Sequence, residues 1–117
     1  MALARVVPNL HAATPIEAAA FYRDVLGMEV VMDQGWIVTV ADPARPGLQL
    51  SLVSEDASGP VVPVASLEVD DVDAAHAAAV ASGAEIVHPL TDEPWGVRRF
   101  FVRDPAGHVV NVLGHRS

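Results

Sequence analysis

This 117-residue chain lacks three features, and each absence excludes certain classes of function. It has no cysteine, which excludes disulfides, thiol catalysis and thiolate metal ligands. It has no lysine, and its seven arginines form no basic cluster, so we expect no nucleic-acid partner. No apolar run approaches the roughly 18 to 20 residues of a membrane span. The opening MALARVV is interrupted too soon by Pro8 and Asn9 for a signal peptide, so we expect a cytoplasmic protein that does not bind membranes.

Aromatic residues are scarce, at 5% of the chain, whereas 51% of the residues are hydrophobic. The length suits one domain that buries most of its apolar surface. The formal net charge is −8 and the pI about 4.8, which disfavours anionic partners and is compatible with a cationic ligand.

The first half of the chain predicts one helix among short strands. Thr14-Pro15-Ile16-Glu17 predicts a helix start with a capping box between Thr14 and Glu17, and Gly27 predicts the helix end. Strands are expected at residues 4–10, 28–32, 36–41 and 48–53, with turn chemistry at 42–47.

The second half repeats this order of elements. Strands are expected at residues 61–69, 84–88, 97–103 and 108–113, with a loop at 89–96 and a helix capped by Asp70 or Asp71 and ending at Gly83. Gly27-Met28-Glu29-Val30-Val31 recurs as Gly83-Ala84-Glu85-Ile86-Val87, 56 positions later, and Asp42-Pro43 recurs as Asp104-Pro105, 62 positions later. The repeat indicates two copies of one structural unit.

These patterns predict an α+β fold of two tandem βαβββ modules. Repeat one covers residues 1–54, a polar linker covers 55–60, and repeat two covers 61–117, all in a single domain. We expect curved mixed sheets around a cleft, with the helices outside. Concave apolar clefts are typical binding sites for small molecules.

Several motifs resemble the vicinal oxygen chelate superfamily, which includes glyoxalase I, extradiol dioxygenases and bleomycin-resistance proteins. The motifs are Phe21-Tyr22-Arg23-Asp24-Val25-Leu26-Gly27, Leu67-Glu68-Val69-Asp70-Asp71-Val72-Asp73, Pro94-Trp95-Gly96-Val97-Arg98-Arg99-Phe100 and Asp104-Pro105-Ala106-Gly107-His108. Fold alone does not identify the reaction.

The resemblance implies a divalent metal held by His and Glu side chains of the first and last strands of each repeat. The corresponding positions here are Val7, Ser51 (or Gln49, two residues earlier), Val64 and Asn111. Two of these offer no lone pair and none supplies negative charge, so we expect no metal and no cofactor.

The resemblance is therefore closest to the metal-free, antibiotic-binding branch, whose members sequester a drug at a homodimer interface. It implies a small-molecule binder, active as a homodimer. The two tryptophans favour a planar ligand, and the acidic charge of the chain is compatible with a cationic one. The alternative is a lyase, isomerase or dioxygenase-type enzyme on the same fold. Such an enzyme would be metal-independent, with His11 as base, or would use a relocated metal site.

The candidate ligand-binding residues are Asn9, His11, Trp36, Gln49, Trp95, Arg98, Phe100, Phe101 and Asn111. The two tryptophans could stack on a planar ligand or belong to the core. Arg98-Arg99 and Phe100-Phe101 alternate along one strand, so one member of each pair faces the cleft, and the sequence leaves open which. His76, His88, His108 and His115 are expected at the surface.

Overall fold

The computed structural model of the protein describes residues 2–59 and 61–115. Its elements are β1 (Leu3–His11), α1 (Pro15–Leu26), β2 (Glu29–Asp33), β3 (Ile37–Asp42), β4 (Arg45–Val53), β5 (Ala65–Val69), α2 (Val72–Ala81), β6 (Ile86–Asp92), β7 (Val97–Arg103) and β8 (Val109–His115). The order strand, helix and three strands occurs twice, which confirms the α+β class and the two βαβββ modules. Neither of the helices in the described residues is long and apolar enough to cross a membrane.

The described residues divide into two compact units. The N-terminal unit comprises residues 7–59 with 61 and 62, and the C-terminal unit comprises residues 2–6 and 63–115. Residues 2–6 thus belong with the second repeat, where Ala2 and Asp70 exchange two hydrogen bonds of 2.8 and 3.0 Å.

Each unit contains a mixed four-stranded sheet with one parallel pair. The strand order is β2-β3-β4-β1 in the N-terminal unit and β5-β8-β7-β6 in the C-terminal unit. The parallel pairs are β1 with β4 and β5 with β8, and the other neighbours are antiparallel. Each parallel pair joins the first and last strands of its module.

One face of each sheet is covered by the helix of its unit. In the N-terminal unit, Ala19 of α1 packs on Val38, Val40 and Leu52, all of which are at most 2% exposed. Side chains alternate between the two faces of a strand. The odd-numbered residues of β3 and β4 therefore lie on the face opposite α1.

The C-terminal unit is built in the same way. Val72 and Ala75 of α2 pack on Phe100 and Val112. The odd-numbered residues of β7 and β8 consequently lie on the face opposite α2. We call this face, in either unit, the helix-free face.

The two helix starts differ, although their backbones are nearly the same. Asp71 has φ −138° and ψ 87°, and its carboxylate accepts a hydrogen bond from the Ala74 amide, which settles the choice between Asp70 and Asp71. Thr14 has φ −126° and ψ 89° but makes no side-chain cap bond, so the predicted capping box was wrong. A carboxylate offers two acceptor oxygens, whereas threonine offers one hydroxyl beside a methyl group.

Two strands extend by three or four residues beyond their predicted bounds, whereas β5 begins at Ala65 and not at residue 61 as predicted. The expected loop at 89–96 was partly wrong, because β6 continues through Pro89 to Asp92. Proline is tolerated there because β6 is the last strand of its sheet and its register with β7 is irregular between His88 and Thr91. Similarly, β4 begins at Arg45, inside the predicted turn.

Two of the four histidines expected at the surface are partly buried. The His76 ring makes an edge-to-face contact with Phe100, with the ring centroids 5.0 Å apart. The His88 side chain is only 19% exposed and packs on Phe101. His108 and His115 are exposed, as predicted.

Candidate functional site

Four residues form a row across the helix-free face of the C-terminal unit. Ser66 pairs with Asn111, Asn111 with Phe101, and Phe101 with His88, so one residue comes from each strand. Neighbouring strands are about 4.8 Å apart, which brings adjacent members of the row into contact. The Asn111 Nδ2 atom donates a hydrogen bond of 3.1 Å to Ser66 Oγ, and the His88 and Phe101 ring centroids lie 4.9 Å apart. We call these four residues the C-terminal row.

This row contains two buried polar atoms without hydrogen-bond partners among the described residues. They are Asn111 Oδ1 and His88 Nε2, and Asn111 as a whole is 8% exposed. The Asn111 amide could also be placed with its oxygen and nitrogen exchanged, because the Ser66 hydroxyl can either donate or accept a hydrogen bond. In that orientation Nδ2 would be the atom without a partner, so one amide atom lacks a partner either way. A buried polar group without a partner costs about 1–3 kcal/mol. A ligand that donates a hydrogen bond to Asn111 would recover that free energy.

A buried ion pair lies beside the row. Arg99 Nε and Nη2 lie 2.9 and 2.7 Å from Glu93 Oε2, and the two side chains are 5% and 9% exposed. The Arg99 guanidinium also lies over two aromatic rings, 4.9 Å from the Trp95 centroid and 4.7 Å from the Phe101 centroid. The Glu93 carboxylate balances the positive charge of Arg99, and the contacts together hold the guanidinium beside the two rings.

The loop that carries Trp95 is a tight turn anchored at Glu93. The Glu93 amide donates to Val97 O at 2.7 Å, and the Gly96 amide donates to Glu93 O at 3.1 Å. Gly96 has φ +97°, a conformation that glycine adopts without strain. Trp95 is 38% exposed, so it is the accessible aromatic residue beside the row.

The N-terminal unit has an equivalent row of different chemistry. Asn9 pairs with Ser51, Ser51 with Thr39, and Thr39 with Met32, on the helix-free face of that unit. The Thr39 and Ser51 hydroxyls are buried and hydrogen-bond to each other at 2.7 Å. These positions correspond through the repeat to Ser66, Asn111, Phe101 and His88.

The structure separates the sequence-predicted residues into groups. Asn111 and Phe101 lie in the C-terminal row with Trp95 beside it, and Asn9 lies in the row of the N-terminal unit. Gln49 pairs with Ala41 on the same face as Asn9, and its Nε2 donates to Pro46 O at 2.9 Å. His11 pairs with Val53 at the exposed end of β1, and no described side chain hydrogen-bonds to its ring.

Two of the predicted residues lie on the other face, toward α2. Phe100 is 1% exposed in the core beneath α2. Arg98 pairs with Asp73 of α2 and with Asp92, at 3.0 and 3.2 Å, and hydrogen bonds to Asp73 and then Asp92 raise its pKa above the usual arginine value. The open choice within the pairs is thereby decided, because Arg99 and Phe101 occupy the helix-free face. Trp36 lies in neither row and lines an open groove beside the start of α1.

Comparison with known families agrees with this architecture. The family model described as the Glyoxalase/Bleomycin resistance protein/Dioxygenase superfamily matches residues 8–112. The chain belongs to this superfamily. No curated protein matches the chain.

Solved structures give the same fold at low sequence identity. A Vibrio splendidus 12B01 member of the superfamily is 21% identical with a TM-score of 0.71, over 97% of this chain and 99% of that one. A Legionella pneumophila protein described as an NAD-dependent benzaldehyde dehydrogenase is 18% identical with a TM-score of 0.74, over 95% and 99%. A Streptomyces coelicolor methylmalonyl-CoA epimerase is 16% identical with a TM-score of 0.69, over 99% and 100%. At these identities the likeness shows the fold alone.

The positions that the resemblance assigns to metal ligands do not fit a metal ion here. In the N-terminal unit they hold Val7 and Ser51, whose hydroxyl is bonded to Thr39, or its alternative Gln49, whose neutral amide donates to Pro46 O. In the C-terminal unit they hold Val64, which is 48% exposed, and the neutral amide of Asn111. Among residues 2–59 and 61–115, no group of three or more His, Asp or Glu side chains is placed to hold a metal ion. Hard divalent cations require several oxygen ligands, usually with carboxylates among them, and these residues do not supply them.

Sequence reasoning missed residues of the site that the repeat could have revealed. Ser66 lies 57 positions after Asn9, the offset that also separates the helix caps Thr14 and Asp71. Applying that offset to the candidate Asn9 would have placed Ser66 opposite Asn111. No pattern in the sequence could have revealed the Glu93–Arg99 pair. The acid that Arg99 meets depends on the face of β7 on which Arg99 lies, and that is decided by which face α2 covers.

Proposed function

We propose that this superfamily member binds a small organic molecule, without a metal ion, on the helix-free face of its C-terminal unit. The observation that carries the proposal is the buried Asn111 amide, one atom of which has no hydrogen-bond partner among the described residues. It stands at a position that the superfamily's metal enzymes use for a ligand. The chemistry at this position is therefore that of a neutral hydrogen-bonding group, suited to a neutral polar group of an organic ligand.

The surroundings of Asn111 favour a planar ligand with a hydrogen-bond donor. Trp95 supplies an exposed aromatic surface, and the adjacent Glu93–Arg99 pair is neutral as a unit. Because Asn111 Oδ1 is buried, ligand entry requires a local movement of the groups that cover it. Planar antibiotics have this chemistry, and we propose drug sequestration as the role of the binding.

Binding and its location are tested together by the two tryptophan indole signals in a 15N–1H spectrum of labelled protein. The variant Trp95→Phe assigns them. Bleomycin and a panel of planar aromatic antibiotics are titrated, and a ligand at the proposed site shifts the Trp95 signal. The same ligand at 100 times its Kd raises the free energy of unfolding by about 2.7 kcal/mol, which a thermal melt detects.

Two matched variants test the role of the amide. Asn111→Leu keeps the branched shape and the number of side-chain heavy atoms but removes both polar atoms, so we expect lost ligand affinity with the fold retained. Ser51→Ala changes the equivalent residue of the N-terminal unit and should leave that affinity unchanged. Equal affinity in Asn111→Leu would contradict the proposed anchor.

The absence of a metal role is tested separately by elemental analysis and by melts with added Zn²⁺, Mn²⁺ or Co²⁺. We expect substoichiometric metal and no rise in Tm. A stoichiometric divalent ion would overturn the metal-free proposal and favour the enzymatic alternative.

We also propose that the protein is a homodimer, as the resemblance implies. Support comes from the outer surface of α1, where Phe21, Val25 and Leu26 are 58%, 60% and 64% exposed. Apolar side chains grouped on one helix are typical of a surface that a second copy covers. Sedimentation of the wild type should give a dimer mass, and Phe21→Ser with Val25→Ser should give a monomer. A monomeric wild type would refute the proposal.

A further inference from the structure

An open groove in the N-terminal unit lies outside the site described above. Its volume is about 460 Å³, within the range of small-molecule sites. The start of α1, the β2–β3 turn and the residues after β4 form its walls. The lining residues are Ala13, Thr14, Pro15, Ile16, Asp33, Gly35, Trp36, Ser54 and Glu55.

The charge of the groove is one-sided. Asp33 and Glu55 line it, and none of its nine lining residues is arginine or histidine. The N-terminus of α1 contributes a partial positive charge of about half a unit, which two full carboxylate charges outweigh. The groove therefore attracts cations.

The groove also has an aromatic wall. Trp36 lines it and is half-buried, and its carbonyl accepts a hydrogen bond of 2.9 Å from the Ser54 amide. Asp33 Oδ1 accepts a bond of 2.9 Å from the Gly35 amide, which holds that carboxylate at the turn. Tryptophan is the aromatic side chain that attracts cations best. The backbone at Trp36 and one of the carboxylates are thus held in place by contacts within the unit.

We propose that this groove is a second binding site, for an organic cation that combines an amidinium, guanidinium or ammonium group with a flat apolar part. The charged group lies toward Asp33 and Glu55, and the flat part lies against Trp36. The inference does not depend on the C-terminal site, because it uses a different tryptophan in a different unit.

Three molecules of nearly equal shape test the charge requirement: benzamidine, which is a cation, benzamide, which is neutral, and benzoate, which is an anion. Each is titrated into 15N-labelled protein while both indole signals are followed. We expect benzamidine to shift the Trp36 signal in a saturable way and to leave the Trp95 signal in place. Benzamide should bind more weakly and benzoate should not bind.

Variants at the carboxylates complete the test. Asp33→Asn and Glu55→Gln should each weaken benzamidine binding about two- to fivefold, the effect of one exposed charge or cation–π contact. Glu29→Gln removes an exposed charge outside the groove and should have no effect. The proposal would be overturned if the Trp36 signal did not move, or if benzamide bound as tightly as benzamidine or benzoate bound more tightly. It would also be overturned if the double variant Asp33→Asn with Glu55→Gln bound benzamidine with wild-type affinity. A shift of Trp95 alone would support the C-terminal site and refute this one.

Discussion

The buried Glu93–Arg99 pair makes a sharp prediction about stability. The two side chains are 9% and 5% exposed, so removing either partner leaves the other charge in a poorly hydrated place. Removing one partner of a buried ion pair costs about 3–5 kcal/mol, because the remaining charge keeps its desolvation penalty without its attraction. We therefore expect Glu93→Leu and Arg99→Met each to lower the free energy of unfolding by that amount.

The double variant Glu93→Leu with Arg99→Met should behave differently. It removes both charges and keeps apolar volume beside Trp95 and Phe101, so we expect it to be within about 1 kcal/mol of the wild type. The two single effects are thus far from additive, as expected for residues in contact.

Urea unfolding at constant pH and salt measures all three variants, with thermal melts as a second readout. A loss of 3 kcal/mol corresponds to a fall in Tm of roughly 10 °C for a domain of this size. The pair Arg23–Asp24 serves as the control, because its side chains are 63% and 66% exposed and its removal should change stability little. Single variants that cost less than about 1 kcal/mol, or a double variant that costs the sum, would refute the reasoning.

Three further predictions concern local structure. Asp71→Ala should lower the free energy of unfolding by about 1 kcal/mol in urea unfolding. Thr14→Ala should lower it clearly less, because of these two residues only Asp71 makes a side-chain cap bond. Equal losses in the two variants would contradict this prediction. Gly96→Ala should cost about 1–2 kcal/mol in the same assay, since φ at this residue is +97°, and an unchanged midpoint would refute the strain. Hydrogen bonds from the His108 amide, and then from its ring, hold the pKa of Asp104 below its usual 3.8. The ionised Asp104 carboxylate therefore stabilises the folded protein above about pH 3.8, and this stabilisation is lost as the pH falls through the lowered pKa. Urea unfolding at a series of pH values should show that the difference in stability between the wild type and Asp104→Asn disappears below the lowered pKa.

The repeat and the local signals of the chain were sufficient to predict the elements. Strand-like runs, Gly27 and Asp71 each act through their immediate neighbours, and the 56- and 62-residue offsets showed that one pattern occurs twice. The exceptions are also local. Pro89 suggested a loop, but an edge strand with irregular register accommodates a residue without an amide hydrogen.

The candidate site was harder to predict, because it depends on which face of each strand the helix covers. Phe100 and Phe101 are both apolar and Arg98 and Arg99 are both basic, so alternation alone could not orient them. The orientation is set by Val72 and Ala75 of α2, which pack on Phe100. Arg98 then meets Asp73 of the helix, whereas Arg99 meets Glu93 and two aromatic rings.

The two rows show how one repeated frame has come to carry two different chemistries. In the N-terminal unit, small hydroxyl groups at Thr39 and Ser51 satisfy each other in a buried hydrogen bond. At the equivalent places of the C-terminal unit, Phe101 and Asn111 put a large ring beside an amide with one unpartnered atom. A buried polar atom without a hydrogen-bond partner lowers stability, and a ligand that bonds to it would offset that cost. The hydroxyls of Thr39 and Ser51 already bond to each other, so they need no ligand. The imbalance between the rows therefore supports the proposed ligand site at Asn111 in the C-terminal unit and indicates a structural role for the row of the N-terminal unit.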